Sequence, residues 1–539
     1  LSDDVPGTPH LESVLRVAST HPVAHDRDDI VLRKGELSLL NGHSTPRESM
    51  IEDLLFIADT LDRAGVRYLL VRGNDERPVL AVDWSDRKKV RAALLADMRA
   101  EPFYSKVPGG HALLVADGRL ARDPKARVMR LYRPRIEPMG RLRYGPGTAV
   151  QLEFWQWKGD VVEAPVENSL TRRTIPADEV VETTVEQYGR EFTTIAGMFD
   201  LLASDIDFDI DMVFSWVDGT AIEFQRARAR RMASYVVGEG DDSEARYRQI
   251  DELKYALRSV HLFAPWVRRI FIATDSPRPE WLADDPRVTM MPSEEFFTNP
   301  ADLPTHNSHA VEAQLQHIPG LAEHFLYSND DMFFGRPVQP DLFFSPGGIT
   351  KFVEASTRIG LGENALHRSG YENAARVNRE LLQQRFGRVT TRHLEHCAAP
   401  LRKSVLFEME SEFPDAFART AASPFRSATD ISVTNSFYHY YALMTGRAVV
   451  QTGARVQYIE TTLTSALKEM DALLKKRSQD MFCLNDGSNP EIGVEERAAA
   501  VTSFLERYFP FPAPWEKEVT PRSAAGSASS SAVRALPAG

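Results

Sequence analysis

Apolar positions along the chain fall into two rhythms. From Arg47 to Gly65, Ile51, Leu54, Leu55, Ala58 and Leu61 recur at helical spacing. Val66–Val71 and Val79–Val82 then read as strands, Lys88–Arg99 as a second helix, and Ala149–Trp155 as a further strand. This predicts a small α+β accessory domain over 46–204, after an irregular N-terminal segment, 1–45. It shows no nucleophile, metal cluster or glycine-rich phosphate loop, and a supporting or acceptor-positioning role is expected of it.

The character changes at Asp205, Asp207, Asp209 and Asp211, which alternate with apolar residues. The alternation predicts the exposed face of a strand entrance, with Asp211 reaching inward. Met212–Val217 continues as a buried strand, closed by an Asp218-Gly219 turn. In the next helix Leu253, Leu257 and Val260 line one face, and Glu252, Lys254 and Arg258 the other, until Pro265 stops it. Arg269–Asp275 and Val288–Met291 read as strands, Ser308–Gln316 as a helix, and the run from Phe325 as another strand. Such alternation predicts a Rossmann-like parallel sheet with helices on its faces over 205–350. Ligands then sit outside the carboxyl ends of the strands, where Asp218, Asp275, Asp330 and Asp331 fall. Residues 351–515 read as a helical half, with helices at Leu381–Phe386, Pro400–Phe413, Ser436–Met444 and Val494–Tyr508. The tail, 516–539, is low in complexity and predicted disordered.

At 539 residues the chain is too long for one core, and two or three domains are expected. A net charge of -12 argues against a general nucleic-acid binder but leaves room for a nucleotide in a local positive pocket. Two cysteines, Cys397 and Cys483, make neither a disulfide framework nor a zinc site. No run reaches the ~18 apolar residues of a membrane span, and no basic region precedes an apolar stretch as in a signal peptide. A cytoplasmic protein is expected, with peripheral attachment to the inner face of the membrane open.

The candidate chemistry begins at Asn329-Asp330-Asp331. Two adjacent acids can hold a metal ion or take a proton. Side chains alternate across a strand, so both face one site only where the strand has broken into a turn. The plainer alternative is a loop in which they make turn hydrogen bonds. His396 is a candidate proton carrier near neutral pH, or a packing residue. Arg426 is a candidate phosphate ligand, and its spacing from Asp430 also suits a helical i,i+4 ion pair. Arg402 and Lys403 read either as anion ligands or as the solvated face of a helix. Trp216 can stack on a base or fill a core. Asp218 and Gly219 predict a tight turn whose backbone amides approach a phosphate.

Four blocks in order resemble the Stealth proteins, bacterial capsule hexose-1-phosphate transferases related to the catalytic subunit of N-acetylglucosamine-1-phosphotransferase. They are Asp209–Thr220; Arg246–Asp275 with Leu303–Val338; His396–Lys403 with Phe425–Tyr441; and Phe482–Asp486. The resemblance implies transfer of a hexose-1-phosphate, expected to be N-acetylglucosamine-1-phosphate, from a UDP-sugar to the hydroxyl of a carbohydrate acceptor. A phosphodiester forms and UMP leaves. It also implies Asp330, Asp331, His396 and Arg426 as catalytic, with Asp330 and Asp331 holding Mg2+ or Mn2+. Trp216, Asp218, Gly219, Asp251, Asn307, Ser308, Arg402, Asp430, Asn485 and Asp486 would contact substrate. The chain departs from the family pattern at Ala221, Ile250, His306 and Ala399. The rival readings are a metal-dependent glycosyltransferase that releases UDP and a non-catalytic carbohydrate-binding protein of the same fold.

Overall fold

The computed structural model describes residues 22–25, 27–219, 250–487 and 490–518. The first 21 residues, Thr220, Ala221 and the tail from 519 lie outside the described residues.

The N-terminal part is built on an eight-stranded sheet in which Pro78–Asp83 lies parallel to Val150–Lys158, and Tyr68–Arg72 antiparallel to Pro78–Asp83. The helix Pro46–Arg63 buries Leu54, Ala58 and Leu61 against it, as its periodicity predicts, and Ile57 with them, while Ile51 and Leu55 are only partly buried. A capping box sets where that helix starts: the Glu48 amide donates to Thr45 Oγ1 (3.2 Å) and the Thr45 amide to Glu48 Oε2 (2.8 Å). Part of the stretch predicted irregular is ordered, because Ile30–Arg33 and Glu36–Leu40 form a hairpin. Its two-residue turn, Lys34-Gly35, takes positive φ at both positions, the geometry that matches the twist of paired strands.

The second part carries the predicted α/β core. Its elements in order are β1 (Ile210–Ser215), α1 (Glu252–Phe263), β2 (Ile270–Ala273), β3 (Val288–Met291), the short α2 (Ser308–Glu312) and β4 (His324–Asn329). Sheet order is β3-β2-β1-β4, all parallel. Successive strands step outward on one side of β1 and then cross to the other, so the order reverses between β1 and β4. A crevice opens there at the carboxyl ends. Beyond β4 come β5 (Met332–Phe334), α3 (Gly370–Phe386) and β6 (Ala399–Arg402). β6 pairs antiparallel with β4, so the five-stranded sheet is mixed rather than wholly parallel. The helix predicted from Pro400 therefore begins only at Lys403. Pro400 and Leu401 are instead spent on an edge strand, where the missing proline N–H is tolerated. Last come β7 (Val456–Glu460), β8 (Met481–Asn485) and α4 (Val494–Tyr508), and β5-β8-β7 form a second small sheet beside the crevice.

The polar side of α1 is buried at Glu252 and Arg258. Arg258 is 8% exposed, donates to both carboxylate oxygens of Glu516 (2.7 Å each) and to the Phe509 carbonyl (2.9 Å). The segment after α4 folds back over that face.

Candidate active site

Asp330 and Asp331 occupy the turn between β4 and β5. The strand breaks where both acids need it to, and both line one cleft of about 1250 Å³. That is larger than the ~300–1000 Å³ of ordinary small-molecule sites, with room for a donor and an acceptor together. Asp331 hangs over β8: the Leu484 amide donates to its carbonyl (3.0 Å) and the Cys483 thiol to its Oδ2 (3.5 Å). Its Oδ1 is buried with no hydrogen-bond partner. Burial, then the nearby charge of Glu252, push its carboxyl up to about 7. A carboxylate this costly to ionise, with an unpartnered oxygen in a residue that lines a cleft, makes Asp331 a candidate functional group.

His396 and Arg426 line the same cleft, from the chain before β6 and from the loop 423–430. The His396 ring stands edge-on to Tyr458 on β7 (5.3 Å between centroids), and Tyr458 pairs with Cys483, the residue bonded to Asp331. Burial, followed by the positive field of Arg426 and by His393, lowers the His396 imidazole below its usual range. It is therefore neutral at pH 7 and carries a lone pair for a proton.

Arg426 donates from Nη2 to Ser308 Oγ (2.8 Å) at the start of α2. Residues 423–430 form a loop, so helical spacing does not relate Arg426 to Asp430. Asp430 is fully buried behind the cleft instead. Its Oδ2 accepts from Asn307 Nδ2 (2.8 Å) and the Ser427 amide (2.9 Å). Asn307 also donates to the Ser423 and Phe425 carbonyls (3.1 and 3.3 Å), while its Oδ1 caps α2 through the His309 amide. Asn307 and Asp430 thus clamp the arginine loop to α2.

Trp216 (3% exposed), Asn485 and Asp486 also line the cleft, with Trp216 mostly sunk in the core. Asp486 accepts from Thr461 Oγ1 and lies 3.5 Å from Arg497. Asp218 and Gly219 follow β1 at the cleft's edge, where the Asp218 amide donates to Ser276 Oγ (2.8 Å). Asp251 starts α1 in a left-handed conformation (φ 58°) and points outward, so its neighbour Glu252 is the one in the cleft. Arg402 is not in the cleft. It pairs with His324 at the amino end of β4, the end of the strand away from Asp330, and its Nε donates to Glu323 (3.1 Å). Asp211 is fully buried, as expected, but held by Arg268 at 2.7 and 2.9 Å, an ion pair and not a substrate ligand.

Three cleft residues were not singled out from the sequence. Glu252 reads from the sequence only as part of the helix face opposite Leu253, Leu257 and Val260. Glu312 lies four residues after Ser308 on α2, hence on its face, a signal that was available. Tyr458 rests on a short strand without a motif of its own. Among the described residues no group of three or more His, Cys, Asp or Glu side chains is arranged to hold a metal ion. The open Asp331 oxygen, with Asp330, Glu252 and Asp486 in the same cleft, fits the looser arrangement in which one or two carboxylates and substrate phosphates share a Mg2+ or Mn2+ ion.

Comparison with known proteins bears directly on this cleft. Models of Stealth conserved regions 2, 3 and 4 match residues 246–352, 395–443 and 471–525. These ranges carry Glu252, Asp330, Asp331, His396, Arg426 and Asp486, while Asp209–Thr220 lies outside them. The exopolysaccharide phosphotransferase CpsY of Mycobacterium tuberculosis is 60% identical over 491 residues, covering 90% of this chain and 92% of that protein. The CpsY of Mycobacterium leprae is 56% identical over 514 residues, covering 95% of each. A solved structure of the galactosyltransferase LgtC aligns at 14% identity with a TM-score of 0.28, over 56% of this chain and 96% of that one. At the identity and coverage of the mycobacterial proteins, the chain belongs to the Stealth family, among its exopolysaccharide phosphotransferases.

Proposed function

We propose that this enzyme moves hexose-1-phosphate, with N-acetylglucosamine-1-phosphate the leading candidate, from a UDP-sugar to a sugar hydroxyl. The product is a phosphodiester and UMP leaves. The observation that carries the reading is convergence: Asp330-Asp331, His396 and Arg426 come from three distant stretches of chain and line one cleft, at the crevice where the strand order reverses.

In this reading the acceptor oxygen attacks the sugar-linked phosphorus in line with the bridging oxygen of the diphosphate. Its proton passes to the neutral His396 imidazole, and the bond from phosphorus to the bridging oxygen breaks, leaving UMP. Arg426, steadied by Ser308 and the Asn307–Asp430 clamp, holds charge on the phosphoryl oxygens through the transition state. Asp330 and Asp331 are the residues that would hold Mg2+ or Mn2+, which when bound neutralises diphosphate charge. Trp216, Asn485 and Asp486 form walls against the donor and acceptor.

Incubation with UDP-N-acetylglucosamine, a carbohydrate acceptor and magnesium, followed by chromatography of the nucleotides, tests this. UMP is the expected product, lost in His396→Ala. UDP in its place identifies an ordinary glycosyltransferase. Acceptor binding with no nucleotide release identifies a carbohydrate-binding protein.

A further inference from the structure

A second pocket, of about 560 Å³, lies in the N-terminal part, lined by Arg91, Leu95, Arg119, Leu120 and Arg122 among others. We propose that it binds a phosphodiester of the growing sugar-phosphate chain, an assignment that rests on the reaction proposed above.

Among the described residues no carboxylate lines this pocket. Arg91 and Leu95 stand one turn apart on the helix Arg87–Asp97, so they share a face. Arg119 and Arg122 flank Leu120, which is 3% exposed and whose carbonyl accepts from Ser105 Oγ at 2.5 Å. That anchor holds the backbone between the two exposed arginines. Arg91 Nε and Nη2 are buried and have no hydrogen-bond partner. Its neighbours behave otherwise: Arg63 pairs with Asp97, Arg27 with Asp29 and Glu101, and Arg133 with Asp53. In a chain of net charge -12, three guanidinium groups facing one concavity without an acid are a local arrangement and not a bulk property.

Guanidinium forks match phosphate oxygens, and the partly exposed Leu95 offers apolar surface to a sugar ring. A product joined by phosphodiesters carries one negative charge per transferred unit, so the chain leaving the cleft has the repeat this pocket would read. A membrane headgroup shares that chemistry. The exposed large apolar side chains of the N-terminal part, Met139, Trp157, Val166, Leu170, Val181 and Leu201, however, are not among those that line this pocket, where they could enter the acyl region. The pocket would hold the chain between additions and favour extension of long acceptors over short ones.

The probe is a fluorescently tagged synthetic tetramer of N-acetylglucosamine-1-phosphate joined by phosphodiesters, titrated into the full chain by anisotropy without donor. An uncharged tetrasaccharide and vesicles of phosphatidylcholine with and without phosphatidylglycerol serve as comparators. The double variant Arg119→Gln/Arg122→Gln changes only exposed side chains and keeps the parent's thermal melt; Arg91→Gln is the second variant. The charged tetramer is expected to bind the parent and to weaken about tenfold or more in either variant, with the uncharged one unaffected. Equal tetramer affinity in parent and both variants overturns the proposal, and so does a loss confined to phosphatidylglycerol vesicles. The reaction is read separately: UMP release with arginine-independent tetramer binding defeats the pocket alone, whereas UDP release defeats the reaction whatever the tetramer does.

Discussion

Asp331→Asn separates what the cleft costs the fold from what it gives the reaction. In the native protein the Asp331 carboxyl is pushed from its ordinary 3.8 up to about 7, by burial first and by Glu252 second. Below 3.8 the folded and unfolded chains both carry the proton, and the residue leaves stability unchanged. Between 3.8 and about 7 the unfolded chain releases the proton while the folded one keeps it, so stability falls by ~1.4 kcal/mol per pH unit. Above about 7 both are ionised and the loss levels off, at ~4 kcal/mol by the same conversion. Asparagine has nearly the same shape and no charge to bury. In metal-free buffer the variant should match the parent near pH 4 and exceed it increasingly to about pH 8, by up to ~4 kcal/mol. Urea melts at several pH values measure this directly. Turnover should fall at least ~100-fold in the same protein, the trade of activity against stability expected at a functional site. Magnesium at the highest pH should then stabilise the parent and leave the variant unmoved. A stability difference that ignores pH, or a variant less stable than the parent at high pH, refutes the reasoning.

Other substitutions follow from the same geometry. Arg426→Ala should lower kcat by roughly 100- to 1000-fold, the usual loss for a group that holds transition-state charge, read as UMP release at saturating donor. Arg402→Ala should leave kcat and KM at parent values in the same assay, because it removes only a half-exposed pair with Glu323, worth at most ~1 kcal/mol. Arg258→Ala should cost ~3 kcal/mol in urea melts, the low end for a broken buried pair, since it leaves the buried Glu516 carboxylate with only Lys254 at 3.9 Å and the Ala513 amide.

Much of the core was legible because buried strands announce themselves. Met212–Phe214, Ile270–Ala273 and Phe325–Tyr327 are unbroken apolar runs, and three of the four strands are followed by the acids expected at the cleft. Convergence was less legible. His396 and Arg426 sit on irregular chain with no period to place them, and only the family pattern joined them to the tandem acids. The surroundings of Arg402, Glu252 and Arg258 were not legible, for one physical reason. Each sits on an element whose pattern says nothing of what decides its surroundings, a partner remote in sequence: β4 for Arg402, the Asp331 turn for Glu252, the segment from Phe509 for Arg258. Asp430 shows the same limit. Its spacing from Arg426 suggested a helical pair, whereas the backbone there is a loop and the carboxylate serves Asn307.

The phosphorus spectrum of the reaction product tests the central claim most directly. Made by the parent from a UDP-sugar and a neutral acceptor, the purified product should carry a single phosphodiester resonance coupled to protons of two sugars, absent from the product of Arg426→Ala. A glycan product that holds no phosphorus contradicts the account, because the atoms gathered at this cleft would then be moving a sugar and not its phosphate.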